Sequence, residues 1–175
     1  MKNNNVFITN NFEETQKLGE DFIKSVKRLN LNQALVVALH GELGGGKTTF
    51  VQGAAKGLGI KRRIISPTFV IVRSYELQNQ KSPFRSAMQN YAGQAKIFYH
   101  IDLYRVNSKK EIQELGMEEI INNKNNIVII EWAERMEGLL PKNRIDIKFE
   151  YLGENKRRIT ISNFKLLVFL EFSDN

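Results

Sequence analysis

Apolar and polar residues alternate along the chain with a period that changes several times, and each change marks an element. Residues 34–39 (Ala-Leu-Val-Val-Ala-Leu) and 127–130 (Ile-Val-Ile-Ile) are short, branched and uninterrupted, the pattern of strands buried on both faces. Residues 96–102 form a more mixed strand ending at Asp102. A short edge strand is expected over 3–8 and an alternating one over 69–75. Residues 145–151 and 157–162 alternate around Gly-Glu-Asn, which predicts an antiparallel hairpin. Leu18, Phe22, Val26 and Leu29 recur at helical spacing behind Asn11 and Glu14, a capping box, so a first helix is expected over 12–29. A second should run over 48–58, with Gly57 and Gly59 ending it. Ser108 and Glu111 cap a third through 115; Gly116 interrupts it and 117–121 add a turn. A short helix is expected over 133–140. Residues 76–96 are polar and aperiodic, a surface excursion, and 164–172 suit either a strand or a helical turn.

Between the first buried strand and the second helix stands Gly41, four residues, then Gly46, Lys47 and Thr48, the spacing of a P-loop. Glycines there let backbone N–H groups approach phosphate without a clashing Cβ. The positive end of the following helix adds to the attraction. Leu43, Gly44, Gly45, Gly46, Lys47, Thr48 and Thr49 are therefore the expected nucleotide-binding residues. Lys47 should neutralise β/γ-phosphate oxygens, and the Thr48 hydroxyl should ligate Mg²⁺. Strands alternating with helices, followed by a hairpin, imply an α/β, three-layer P-loop NTPase fold. Its central sheet is expected to be mixed, with an antiparallel C-terminal hairpin, and residues 1–175 to form a single domain. The nucleotide should lie at the carboxyl ends of the central strands.

Such a site needs an acid at the end of a buried strand to fix Mg²⁺ or its water. Asp102 and Glu131 both qualify. Glu131 is favoured as metal ligand, since it follows four branched residues. Asp102 is favoured as the carboxylate that orients or deprotonates attacking water. For either, a strand-end acid bonded to a neighbouring N–H is the alternative, and charge geometry decides. Phe12 and Thr15 are candidate adenine contacts, because the chain before the first core strand can pass near the base. Thr68, after the stiff corner Ser66-Pro67, is a candidate γ-phosphate sensor. Asn123-Lys124-Asn125-Asn126 lacks the Asp of a guanine reader, so ATP is preferred over GTP.

Composition narrows the setting. The chain has 175 residues, 42% of them hydrophobic, enough for a sizeable core. Its net charge of +7 permits a polyanionic partner such as RNA. Zero cysteines exclude disulfides and thiolate metal sites and suit a reducing compartment. No apolar run approaches a bilayer span and no leader is recognisable, so the expected location is cytoplasmic, with no membrane contact.

Taken in order, Gly-Glu-Leu-Gly-Gly-Gly-Lys-Thr-Thr, Ser66-Pro67-Thr68-Phe69, His100-Ile101-Asp102-Leu103-Tyr104-Arg105 and Glu131-Trp132 resemble the TsaE (YjeE) family over about residues 12–161. The P-loop is generic, whereas its combination with the His-x-Asp-Leu-Tyr-Arg stretch and Glu131-Trp132 is specific. The resemblance implies a bacterial ATPase of tRNA threonylcarbamoyladenosine biosynthesis, with ATP and Mg²⁺ as cofactors and the TsaB–TsaD complex as partner. That complex would modify adenosine 37 of tRNAs reading ANN codons with an intermediate from TsaC; ATP hydrolysis by this chain would support its turnover, with tRNA involved only indirectly. It further implies that Thr48 and Glu131 hold Mg²⁺, that Lys47 binds phosphate and that Asp102 is needed for hydrolysis. Ser66 to Thr68 would be a switch-like segment, with Trp132 next to the nucleotide. No second arginine-rich loop stands out, so turnover should be slow alone and partner-stimulated, with Arg105 the nearby arginine to consider. The 76–96 excursion looks longer than the family's usual turn, and the tail after Ile161 has no counterpart. A small-molecule kinase and a non-catalytic tRNA-binding module are the alternative functions.

Overall fold

The computed structural model describes residues 4–27, 33–67, 70–77, 97–136 and 138–162. In chain order the elements are β1 (Asn4–Thr9), α1 (Phe12–Val26), β2 (Leu35–His40), α2 (Lys47–Gly57), β3 (Val72–Glu76), β4 (Ile97–Asp102), α3 (Lys109–Glu114), α4 (Met117–Asn122), β5 (Asn126–Glu131), a 3₁₀ turn (Ala133–Met136), β6 (Ile145–Tyr151) and β7 (Arg157–Ser162). The seven strands form one sheet in the order β1-β7-β6-β2-β5-β4-β3. β2 runs parallel to both β5 and β6, and β4 parallel to β5. The β6–β7, β1–β7 and β3–β4 pairs are antiparallel. This is the mixed α/β P-loop NTPase fold expected from the motif and the alternation.

Alternation along the central strands divides the core into two layers. Leu35, Val37, Leu39, Ile127, Ile129 and Phe98 pack on the side of Phe22, Ile23, Phe50 and Val51 from α1 and α2. Val36, Ala38, Val128, Ile130 and Ile101 pack on the side of Ile112, Met117 and Ile121 from α3 and α4. β2 and β5 are covered on both faces, which explains their uninterrupted apolar runs.

α1 and α2 meet backbone to backbone. A Cβ added at Gly53 would lie 1.9 Å from the Gln16 carbonyl oxygen, so no larger residue fits that crossing. The close approach brings the start of α1 beside the loop that opens α2. Asn11 caps α1 by accepting from the Glu14 N–H at 2.7 Å, as the capping box predicts.

Some boundaries differ from expectation. β3 starts at Val72 rather than 69, because the Pro67 carbonyl accepts from Val70 N (2.7 Å) and Ile71 N (2.6 Å), closing a turn first. The helix expected over 133–140 is a single 3₁₀ turn, since Gly138 takes φ 83°, outside the helical region. Leu29 and Thr68, most of the 76–96 excursion, and the 164–172 segment fall outside the described residues. Among the described residues, no helix is long and apolar enough to cross a membrane.

Candidate functional site

β2 ends at His40, residues 41–46 turn, and α2 begins at Lys47. Gly46 caps α2 with φ 98° and no side-chain acceptor, so the first N–H groups of the helix face the loop and suit an anion. Lys47 is 4% exposed. Its Nζ donates to the Gly41 carbonyl at 2.6 Å and the Glu42 carbonyl at 2.9 Å, and lies 3.9 Å from the Trp132 ring centroid. Burial pushes the Lys47 ammonium pKa down, against the opposing charges of Glu131, Glu134 and Asp102. A cation is thus held in a partly desolvated pocket, where an anionic ligand gains most from it.

Strand order brings the two acids together. β5 lies between β2 and β4, and the register pairs Glu131 with Leu39 on one side and Asp102 on the other. By alternation both carboxylates share the α2 face with Ile127, Ile129 and Phe98. Thr48, at the start of α2, donates its hydroxyl to Glu131 Oε2 at 2.8 Å. Asp102 Oδ1 accepts from the Tyr104 N–H at 2.9 Å, and Oδ2 from the Ser66 hydroxyl. Trp132 follows Glu131 at φ 59° and stacks on Tyr104 with centroids 5.0 Å apart. Ile71, whose carbonyl accepts from Asp102 N, sits at φ 64°. Among the described residues, both non-glycine residues at positive φ therefore border the acids, and such conformations persist only where the surroundings impose them.

A cavity of ≈ 430 Å³ joins these groups. Residues 43–49, Ser66, Asp102, Tyr104, Glu131 and Trp132 line one part; Asn11, Phe12, Thr15, Glu154, Asn155 and Arg157 line the other. Every expected P-loop residue is there, together with both acids, Trp132, Phe12 and Thr15. Thr15 is buried and shares a 2.8 Å hydrogen bond with Thr9, so only part of it faces the cavity. Arg105 is exposed on the loop after β4 and is not among the lining residues. Arg157, by contrast, was not legible as a site residue. Its Nε donates to the Gly44 carbonyl at 3.1 Å and its Nη1 to the Gly153 carbonyl at 2.7 Å, tying the β6–β7 turn to the P-loop. The sequence signal was an arginine at a turn exit, which solvation explains equally well. His100, buried below Glu131, was likewise unassigned.

The oxygens at this end suit a hard cation. One Glu131 oxygen lies 2.8 Å from the Thr48 hydroxyl, and Mg²⁺ is commonly held by one or two carboxylates together with substrate phosphates.

Comparisons with known proteins agree with the geometry. The family model described as threonylcarbamoyl adenosine biosynthesis protein TsaE matches residues 9–159. The tRNA threonylcarbamoyladenosine biosynthesis protein TsaE of Rickettsia felis is 37% identical over 173 residues, 96% of this chain and 88% of the relative. The protein of the same name from Bacillus subtilis is 35% identical over 127 residues, 73% of this chain and 68% of the relative. The crystal structure of YdiB from B. subtilis superposes with a TM-score of 0.65 at 27% identity, covering 100% of this chain and 99% of that one. A buried P-loop lysine, two paired strand-end acids and a matching sequence across most of its length together make this chain a member of the TsaE family.

Proposed function

We propose that this chain is a cytoplasmic Mg²⁺-dependent ATPase that supports threonylcarbamoyladenosine modification of ANN-decoding tRNAs by driving turnover of the TsaB–TsaD complex. The observation that carries the proposal is the cluster itself: Lys47, Thr48, Asp102 and Glu131 converge on one cavity at the N-terminus of α2. Lys47 and the first N–H groups of α2 bind and orient the β- and γ-phosphates. Thr48 and Glu131 would hold Mg²⁺, which when bound neutralises charge on the phosphate oxygens. Asp102 orients a water in line with the γ-phosphorus and accepts its proton, while Ser66 and the Tyr104 N–H keep that carboxylate in place. The new P–O bond forms as the bond to the β-phosphate oxygen breaks, giving ADP and inorganic phosphate. ATP is proposed over GTP because the sequence offers no Asn-Lys-x-Asp guanine reader; Asn123-Lys124-Asn125-Asn126 lacks the Asp.

The test is multiple-turnover tRNA modification by TsaB–TsaD with ATP, adding either this chain or its Asp102→Ala variant. Wild-type protein should sustain repeated turnover and the variant should not, although it still binds ATP. Equal support by both proteins would overturn the assignment of hydrolysis to this step.

A further inference from the structure

Beneath the two strand-end acids lies a polar side chain to which the hydrolysis above gives no role. His100 is 0% exposed, with Nε2 at 2.8 Å from Glu131 Oε1 and Nδ1 without a hydrogen-bond partner. A carboxylate accepts and does not donate, so Nε2 carries the hydrogen. Burying an imidazole with one nitrogen unmatched disfavours the fold relative to an apolar residue of similar size. Its hydrogen bond explains what is gained. His100 and Asp102 are two residues apart on β4 and share a face, while Asp102 is paired with Glu131 across the sheet. His100 therefore sits one pleat inward and reaches diagonally to the near oxygen of Glu131. The far oxygen, Oε2, is left for Thr48. With one oxygen fixed, the carboxylate cannot turn about its last bond.

We propose that His100 is a positioning residue for the metal ligand, holding Glu131 so that a single oxygen faces Thr48 and the cation. The proposal rests on the assignment of Thr48 and Glu131 as the Mg²⁺ ligands. Partners that orient a ligand in this way change metal affinity about 10- to 100-fold when removed.

The experiment measures ATP affinity across a Mg²⁺ titration and in EDTA, with melting temperature as the folding control. His100→Leu removes the donor; His100→Gln offers an amide N–H at a similar reach. His100→Leu should need about 10- to 100-fold more Mg²⁺ for half of the metal-dependent gain, at unchanged affinity in EDTA, and His100→Gln should restore most of it. Equal Mg²⁺ requirements in the two variants, or a loss of affinity in EDTA alone, would overturn the proposal. If the leucine variant does not fold, His100→Asn replaces it, since its shorter amide misses the Nε2 position; asparagine should raise the Mg²⁺ requirement and glutamine should not. Glu131→Gln separates the two levels: if it leaves the Mg²⁺ gain intact, the ligand assignment itself fails, whatever the histidine variants do.

Discussion

At one end of the cavity Lys47, Asp102 and Glu131 are each less than 5% exposed, and both oxygens of each acid are engaged by named donors. At the other end Phe12 is 51% exposed, and Glu154 and Asn155 sit on an exposed turn held by Arg157. The buried end is built from strand termini whose register is fixed by a core packed on both faces. The open end is built from the start of α1 and the β6–β7 turn, both exposed. Under the proposed function, the groups that act on phosphate stand on the buried strand ends, and those that cover the nucleoside stand on the exposed part.

Breaking the buried end should therefore cost most. Asp102→Ala should lower ATP turnover by about 10²–10⁴-fold while leaving affinity within a few-fold, measured by phosphate release and calorimetry. A parallel loss of affinity would erase the division between binding and chemistry. Lys47→Ala should weaken ATP binding by about 100-fold, because a desolvated charged hydrogen-bond donor is lost. Gly53→Ala tests the scaffold beneath both ends. The added methyl meets the Gln16 carbonyl, so denaturant unfolding should show a loss of about 1–3 kcal/mol.

A smaller effect is expected from the support under the P-loop. His40, the last residue of β2, hydrogen-bonds Asp146 at 3.0 Å and lies 3.4 Å from the Glu134 carboxylate, and the two acids raise its pKa from 6.5 to about 9. Its stabilisation is complete below the unfolded pKa and is lost as pH rises through the folded one. Unfolding free energy should thus fall by about 1–2 kcal/mol between pH 6.5 and pH 9.5, after allowing for solvent screening, and His40→Gln should flatten that slope. Smallest of all, Phe12→Ala should weaken ATP binding about 5-fold, consistent with one aromatic contact worth about 1 kcal/mol, and leave Mg²⁺ dependence unchanged. A loss as large as that of Lys47→Ala would show that the open end does more than cover the nucleoside.

Much of this arrangement was legible in the sequence because it is local. The P-loop glycines, the uninterrupted strands at 34–39 and 127–130 and the two strand-end acids are each fixed by residues close together along the chain. Features that depend on register between distant strands were not. The Glu131–His100 bond spans 31 positions, and the Arg157–Gly44 bond spans 113. Neither leaves a periodic trace, since a buried histidine and a turn arginine have ordinary structural uses. β1 was expected as an edge strand, but its partner, β7, was not legible, because antiparallel pairing across most of the chain length is set by packing rather than by spacing. The 133–140 segment is shorter than expected because Gly138, a residue that readily takes the left-handed conformation, ends it early.

The most direct measurement is calorimetric titration of ATP into the wild-type chain, at millimolar Mg²⁺ and again in EDTA. Saturable binding in both conditions, tighter with Mg²⁺ and about 100-fold weaker in Lys47→Ala, is the expected result. No binding heat in either condition would contradict the claim that this cavity grips a triphosphate.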